Sequence, residues 1–213
     1  MPIAVIQGKV VVFAHVPKTG GSSVERYLSD HGMMGLKSDR RIRGFPCSMQ
    51  HLHSDALAAM VEVDKADLNV MLVRHPVARI ASEYRYQMRK RGWLRDRLSF
   101  SGWLRYTLTR RALNPYYRDN HFRPQHEFEL PGAEVFRFED GVDTCIATLA
   151  ERLGTPAPAT SIREKPSPRR DFAFTARDLA RIETVYAQDF ARYGYEMGRD
   201  ALLEAGLSAD MIP

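Results

Sequence analysis

The stretch Val10-Val-Val-Phe-Ala-His-Val-Pro-Lys-Thr-Gly-Gly-Ser-Ser-Val-Glu-Arg-Tyr-Leu28 decides how the rest of the chain is read. Val10 to Ala14 is short, apolar and β-branched, as befits a buried strand of a parallel sheet. Pro17 ends the ladder because it has no N–H to donate. Gly20-Gly21 permits backbone angles and close approaches that a side chain would forbid. Ser22 or Ser23 then suits the N-cap of a helix carrying Val24, Tyr27 and Leu28 on one face. The orphan amides of that helix start, its dipole and the Lys18 ammonium converge, which predicts an anion cradle. A Walker A loop places its lysine after the glycines, in the order G-x-x-x-x-G-K-[ST]. Here Lys18 precedes both glycines, so the usual nucleoside-triphosphatase grip is not expected.

A second strand-to-helix junction points the same way. Leu68-Asn-Val-Met-Leu-Val73 reads as another buried strand, followed at once by Arg74-His-Pro-Val-Ala-Arg-Ile-Ala-Ser82. Pro76 fits the first turn of a helix, where its missing N–H costs nothing. Val77, Ile80, Ala81, Tyr84 and Met88 recur at helical spacing. Arg74 falls at the carboxyl end of the strand, where open α/β sheets bind ligands. Its planar fork makes paired, charge-assisted bonds to phosphate. Ser82, two turns into the helix, can reach an anion held there.

These two motifs resemble those of sulfotransferases that use 3′-phosphoadenosine-5′-phosphosulfate (PAPS). The wording His15-Val-Pro-Lys18-Thr-Gly-Gly-Ser-Ser is closest to carbohydrate sulfotransferases related to heparan sulfate 2-O-sulfotransferase. The resemblance runs from roughly His15 to Tyr195. It implies that Pro17, Lys18, Thr19, Gly20, Gly21, Ser22 and Ser23 hold the 5′-phosphosulfate. Arg74 and Ser82, eight positions apart, would hold the 3′-phosphate. A late loop with Arg163, Lys165 and Ser167 would close over the adenine and that phosphate. Relatives carry a catalytic histidine in the interval of Gln50-His51-Leu-His53, so His51, or else His53, is the expected general base. Lys18 would counter the charge developing on the departing phosphate. Asn120, Arg123 and Gln125 match a segment on the acceptor side of the cleft; a second reading has Asn120 and Gln125 satisfying buried backbone groups.

The implied fold is α/β, a P-loop-NTPase-like three-layer arrangement with a central, mostly parallel sheet flanked by helices, formed as one domain over residues 1–213. The implied reaction is in-line transfer of a sulfuryl group from PAPS to an acceptor hydroxyl, on a saccharide or glycolipid. It would release adenosine 3′,5′-bisphosphate and need no metal. A nucleotide kinase or other NTPase, and a non-catalytic nucleotide- or polyanion-binding module, are the rival readings.

Composition sets wider bounds. A chain of 213 residues can bury one good core. The net charge of +5 suits an anionic partner, and no recognised nucleic-acid module is present. Cys47 and Cys145 are too far apart for a metal-ligand spacing and read as free thiols. No signal peptide or membrane span is legible, so a cytoplasmic, bacterial enzyme is expected. Helices are predicted from Ser54 to about Val63 and over 99–112. A loop is predicted over 114–128, and a strand at Glu134–Phe138 precedes a helix carrying Ile146, Leu149 and Leu153. Residues 155–170, with four prolines, read as a loop. Thr175 to Asp178 resembles a capping box that opens a final long helix with Leu179, Ile182, Tyr186 and Phe190 as its buried stripe.

Overall fold

A computed structural model of the chain describes residues 1–89, 99–162 and 172–213. Its sheet contains β1 (Ile3–Ile6), β2 (Lys9–Ala14), β3 (Met33–Gly35), β4 (Leu68–Val73) and β5 (Glu134–Arg137), in the order β3-β1-β2-β4-β5. β2 pairs with β4, and β4 with β5, in parallel; β1 pairs with β2 and β3 antiparallel. The sheet is therefore mixed, with a parallel half that carries both anion motifs. The β1–β2 hairpin was not foreseen. It turns on Gln7 and Gly8, both with positive φ (49° and 79°), the two-residue geometry whose twist matches a hairpin.

Side-chain alternation along β2 and β4 divides the core between the two faces of the sheet. Val12, Ala14, Met71 and Val73 join one cluster, which includes Val77, Ile80 and Tyr84 of α3 (Pro76–Met88). Val11, Phe13, Val70 and Leu72 join the other, with Val24, Tyr27 and Leu28 of α1 (Gly21–His31). That second cluster also takes Ile146, Leu149 and Leu153 of α5 (Val142–Leu153). Helices on both faces of the sheet give the expected three-layer α/β architecture.

Several local expectations need correction. The cap of α1 is Gly20, in the left-handed region at φ 89°, with no side-chain bond; Ser22 and Ser23 lie inside the first turn. Helix α2 is only Ser54–Ala58, followed by a short 3-10 turn at Val63–Lys65, because only Leu57 of its five residues reaches the core. Helix α4 (Phe100–Leu113) starts at a Ser99 cap close to where it was predicted. The Thr175/Asp178 capping box forms. The helix it opens breaks at Tyr186 into α6 (Ala176–Val185) and α7 (Ala187–Tyr193). There the Tyr186 hydroxyl reaches inward to donate to the Phe122 carbonyl at 3.0 Å. A further helix, α8 (Arg199–Glu204), follows. Among the described residues, no helix is long and apolar enough to cross a membrane.

Candidate active site

The carboxyl ends of β2 and β4 open into a cavity of about 680 Å³. Pro17, Lys18, Gly20, Gly21, Ser22 and Ser23 line it from the first motif, and Arg74 and Ser82 from the second. Residues 51 to 65 positions apart in sequence are thus brought together by the parallel pairing of β2 and β4. Lys18 occupies the left-handed region at φ 71°, uncommon for a side-chain-bearing residue and typical of a strained functional loop. Its ammonium lies 4.2 Å from the centre of the Tyr86 ring. Thr19 is buried and donates to the Val16 carbonyl at 2.9 Å, so it braces the loop from behind.

Arg74 is fixed from several sides. Its backbone N–H donates to Gln125 Oε1 at 2.9 Å, and its carbonyl accepts from Gln125 Nε2 at 2.8 Å. Its guanidinium stacks 4.1 Å from the Phe138 ring and donates to the Lys18 carbonyl at 3.4 Å. Burial pushes its pKa down to about 10, against the attraction of Glu139, so it stays cationic at neutral pH. Its Nε is buried without a hydrogen-bond partner among the described residues. A guanidinium lining the same cavity as the start of α1 fits a phosphate ligand. Glu139 accepts from the His75 amide and from the Tyr195 hydroxyl, both at 2.9 Å, which locks the start of α3.

His51 lines the same cavity. Its Nδ1 lies 2.7 Å from Asp119 Oδ2, and Asp119 also accepts from the Ser48 amide at 2.6 Å and the Ser48 hydroxyl at 2.8 Å. A carboxylate receiving three bonds acts as acceptor throughout, so the His51 proton sits on Nδ1 and Nε2 keeps its lone pair. Burial pushes the His51 pKa down to about 4, with the Asp119 bond opposing. For Asp119, burial is outweighed by the bonds from His51 and Ser48, which hold it well below the usual carboxylate range. His53 is placed elsewhere: buried, capping α2, its ring edge-on to Tyr116, and not lining the cavity.

Two more histidines flank His51, with ring centroids 5.3 Å (His15) and 5.0 Å (His121) away. Each is held through Nδ1 by a buried carboxylate, His15 by Glu25 and His121 by Glu83. Gln50 donates to both Glu25 oxygens, at 2.9 and 2.8 Å. For both acids burial acts upward, but the histidine contacts outweigh it and hold the carboxyls below their ordinary range. Reasoning from the sequence missed His15, His121 and Asp119 as site residues. His15 directly follows β2, which was the available signal for it. Arg85, Tyr86, Arg89 and Asp39 also line the cavity and were likewise not foreseen.

The residues expected on the acceptor side lie behind the wall rather than in it. Asn120 donates to the His51 carbonyl at 2.8 Å and accepts from Arg123 Nε at 3.1 Å. Arg123 pairs with Glu127, and Gln125 pins Arg74 as described. Arg163, Lys165 and Ser167 fall outside the described residues; Ser161 and Ile162, just before them, do line the cavity.

No curated protein and no solved structure matches the chain. A family model does: that of the sulfotransferase family, over residues 2–196. With a match of that extent, the chain belongs to the sulfotransferase family and is a PAPS-dependent enzyme.

Proposed function

We propose that the enzyme sulfates a hydroxyl on a carbohydrate acceptor, with His51 as general base and Lys18 as the cation opposite the leaving phosphate. The observation that carries this reading is the Asp119–His51 pair. Three converging donors fix Asp119 as an acceptor and leave His51 Nε2 as a lone pair on the cavity wall. When bound, PAPS supplies a sulfuryl group on a phosphate that departs as adenosine 3′,5′-bisphosphate. Backbone amides at the start of α1, with Ser22 and Ser23, cradle the 5′ end, and Arg74 and Ser82 hold the 3′-phosphate. His51 Nε2 takes the proton of the acceptor hydroxyl as its oxygen attacks sulfur and the bridging S–O bond breaks. Asp119 stabilises the imidazolium that results. Lys18 offsets the charge that gathers on the bridging oxygen. No covalent enzyme intermediate or metal enters the sequence of steps. A two-step test separates donor binding from chemistry. Calorimetry with adenosine 3′,5′-bisphosphate should show binding by wild type and Asp119→Asn alike, and a large loss in Arg74→Ala. Turnover of Asp119→Asn should fall by about 10²–10⁴. Full turnover in that variant would remove His51 and Asp119 from the chemistry; absence of binding by wild type would remove the donor assignment.

A further inference from the structure

We propose that His121, held by Glu83, is the residue that selects the acceptor, by hydrogen bonding to a hydroxyl adjacent to the one being sulfated. This rests on the carbohydrate reading above and specifies it: the acceptor must be polyhydroxylated around the reacting carbon.

The cavity wall holds three imidazoles, His15, His51 and His121, with the His51 centroid 5.3 and 5.0 Å from the other two. All three are tied through Nδ1 to a carboxylate, Glu25, Asp119 and Glu83 respectively. Among the described residues none of the three has a partner at Nε2. The reaction needs one base, the role assigned to His51 above. The other two rings therefore present polar edges that the chemistry does not use. Polar groups held at a closed wall are satisfied by a ligand or by water, and a ligand lacking the matching group binds less well.

Contacts distinguish the two flanking rings. His15 abuts the cradle: a Cβ added at Gly21 would stand 3.1 Å from its ring atoms. It is the donor-side ring. His121 packs against His51 and Tyr86, with ring centroids 5.0 and 6.1 Å away. Its holder is rigid as well. Glu83 is 1% exposed, and its second oxygen accepts from Gln87 Nε2 at 2.7 Å. The fully buried Arg79 donates to the carbonyls of His121 and Arg123 at 3.3 and 2.8 Å, fixing the backbone beneath the ring. A ring so braced has the precision that selecting a substrate hydroxyl requires. A hydroxyl can give a hydrogen bond to a ring nitrogen or take one from it, so the contact forms in either protonation state of the imidazole.

The test measures sulfation of methyl glucopyranoside, methyl galactopyranoside and their monodeoxy derivatives, with cyclohexanol and 4-nitrophenol as acceptors lacking a neighbouring hydroxyl. Wild type should sulfate a glycoside. Loss of one particular neighbouring hydroxyl should raise the acceptor KM about tenfold or more. In His121→Gln and in Glu83→Gln that penalty should shrink toward none, while affinity for adenosine 3′,5′-bisphosphate stays the same. If wild type tolerates every deoxygenation, or if the penalty persists in His121→Gln, the inference is overturned and the carbohydrate reading stands. If 4-nitrophenol or cyclohexanol is sulfated and no glycoside is, or nothing in the set is sulfated, the carbohydrate reading fails and the inference fails with it. The wild-type comparison does not depend on either variant folding.

Discussion

At the scale of single residues, protonation state is set by how deeply each group is held and by what faces it. His51 is 7% exposed and stands between two further imidazoles, and burial takes its pKa to about 4. An imidazole of that kind is deprotonated across the whole neutral range. In the proposed role of base its cost is weak basicity, which Asp119 would offset once the proton arrives. The pH profile of kcat/KM for the free enzyme should therefore show its acid limb well below the ordinary histidine value of 6.5 and close to 4. Initial rates between pH 4 and 9 at low acceptor concentration measure this directly. An acid limb centred at 6.5 would assign the base to a less buried group. Arg74 is the counterpart: its pKa falls to about 10, yet it remains charged where the enzyme works, so donor affinity should not carry that limb.

At the scale of elements, the site depends on turns whose backbone is left-handed. Gly20 has φ 89°, and a Cβ there would stand 2.9 Å from Val142 Cγ2 and 3.1 Å from the Phe138 ring. Phe138 is also the ring on which Arg74 stacks. Gly20→Ala thus adds backbone strain and pushes the ring that supports Arg74, the arginine proposed to hold the 3′-phosphate. It should cost about 1–3 kcal/mol in urea unfolding and weaken adenosine 3′,5′-bisphosphate binding. Gly132→Ala is the control, with φ 66° but open space around the added carbon. It should lose stability alone; equal loss of donor affinity in both would rule out the route through Phe138. The parallel strands and the cradle were legible because alternation and turn chemistry are local. The left-handed run Arg118, Asp119, Asn120 (φ 55°, 60° and 63°) was not. Asp and Asn tolerate such angles singly, but nothing in the segment announces three in a row, which persist here because Ser48, the His51 carbonyl and Arg79 hold the loop from three sides. Asp119 is delivered to His51 by that run, and so its role was invisible in the sequence. Asn120 and Gln125 bond backbone groups of His51 and Arg74, the second of the two readings that their segment allowed.

At the scale of the whole molecule, an acid-sensitive site in the middle of the fold links function to stability. His51 has a folded pKa of about 4 against 6.5 for the ordinary side chain. Between those values the unfolded chain binds a proton that the folded chain refuses. Stability due to this group is therefore complete above pH 6.5, falls as pH drops toward 4, and is flat below that. The shift corresponds to about 3 kcal/mol. Burial lowers the pKa of His53 and His75 as well, which adds to the same slope. His126 acts oppositely: its bond to Asp189 raises its pKa, so its contribution is full below 6.5 and is lost as pH rises through the raised value. The net curve mixes these terms, but a difference between two proteins isolates one of them. Urea unfolding of wild type and His51→Gln at pH 7.5, 6, 5 and 4 should show wild type losing its stability relative to the variant by about 3 kcal/mol across that range. Most of the change should fall between pH 6.5 and 4. Parallel curves would mean that His51 titrates alike in the folded and unfolded chain. The cavity would then have to admit enough water to solvate the imidazolium.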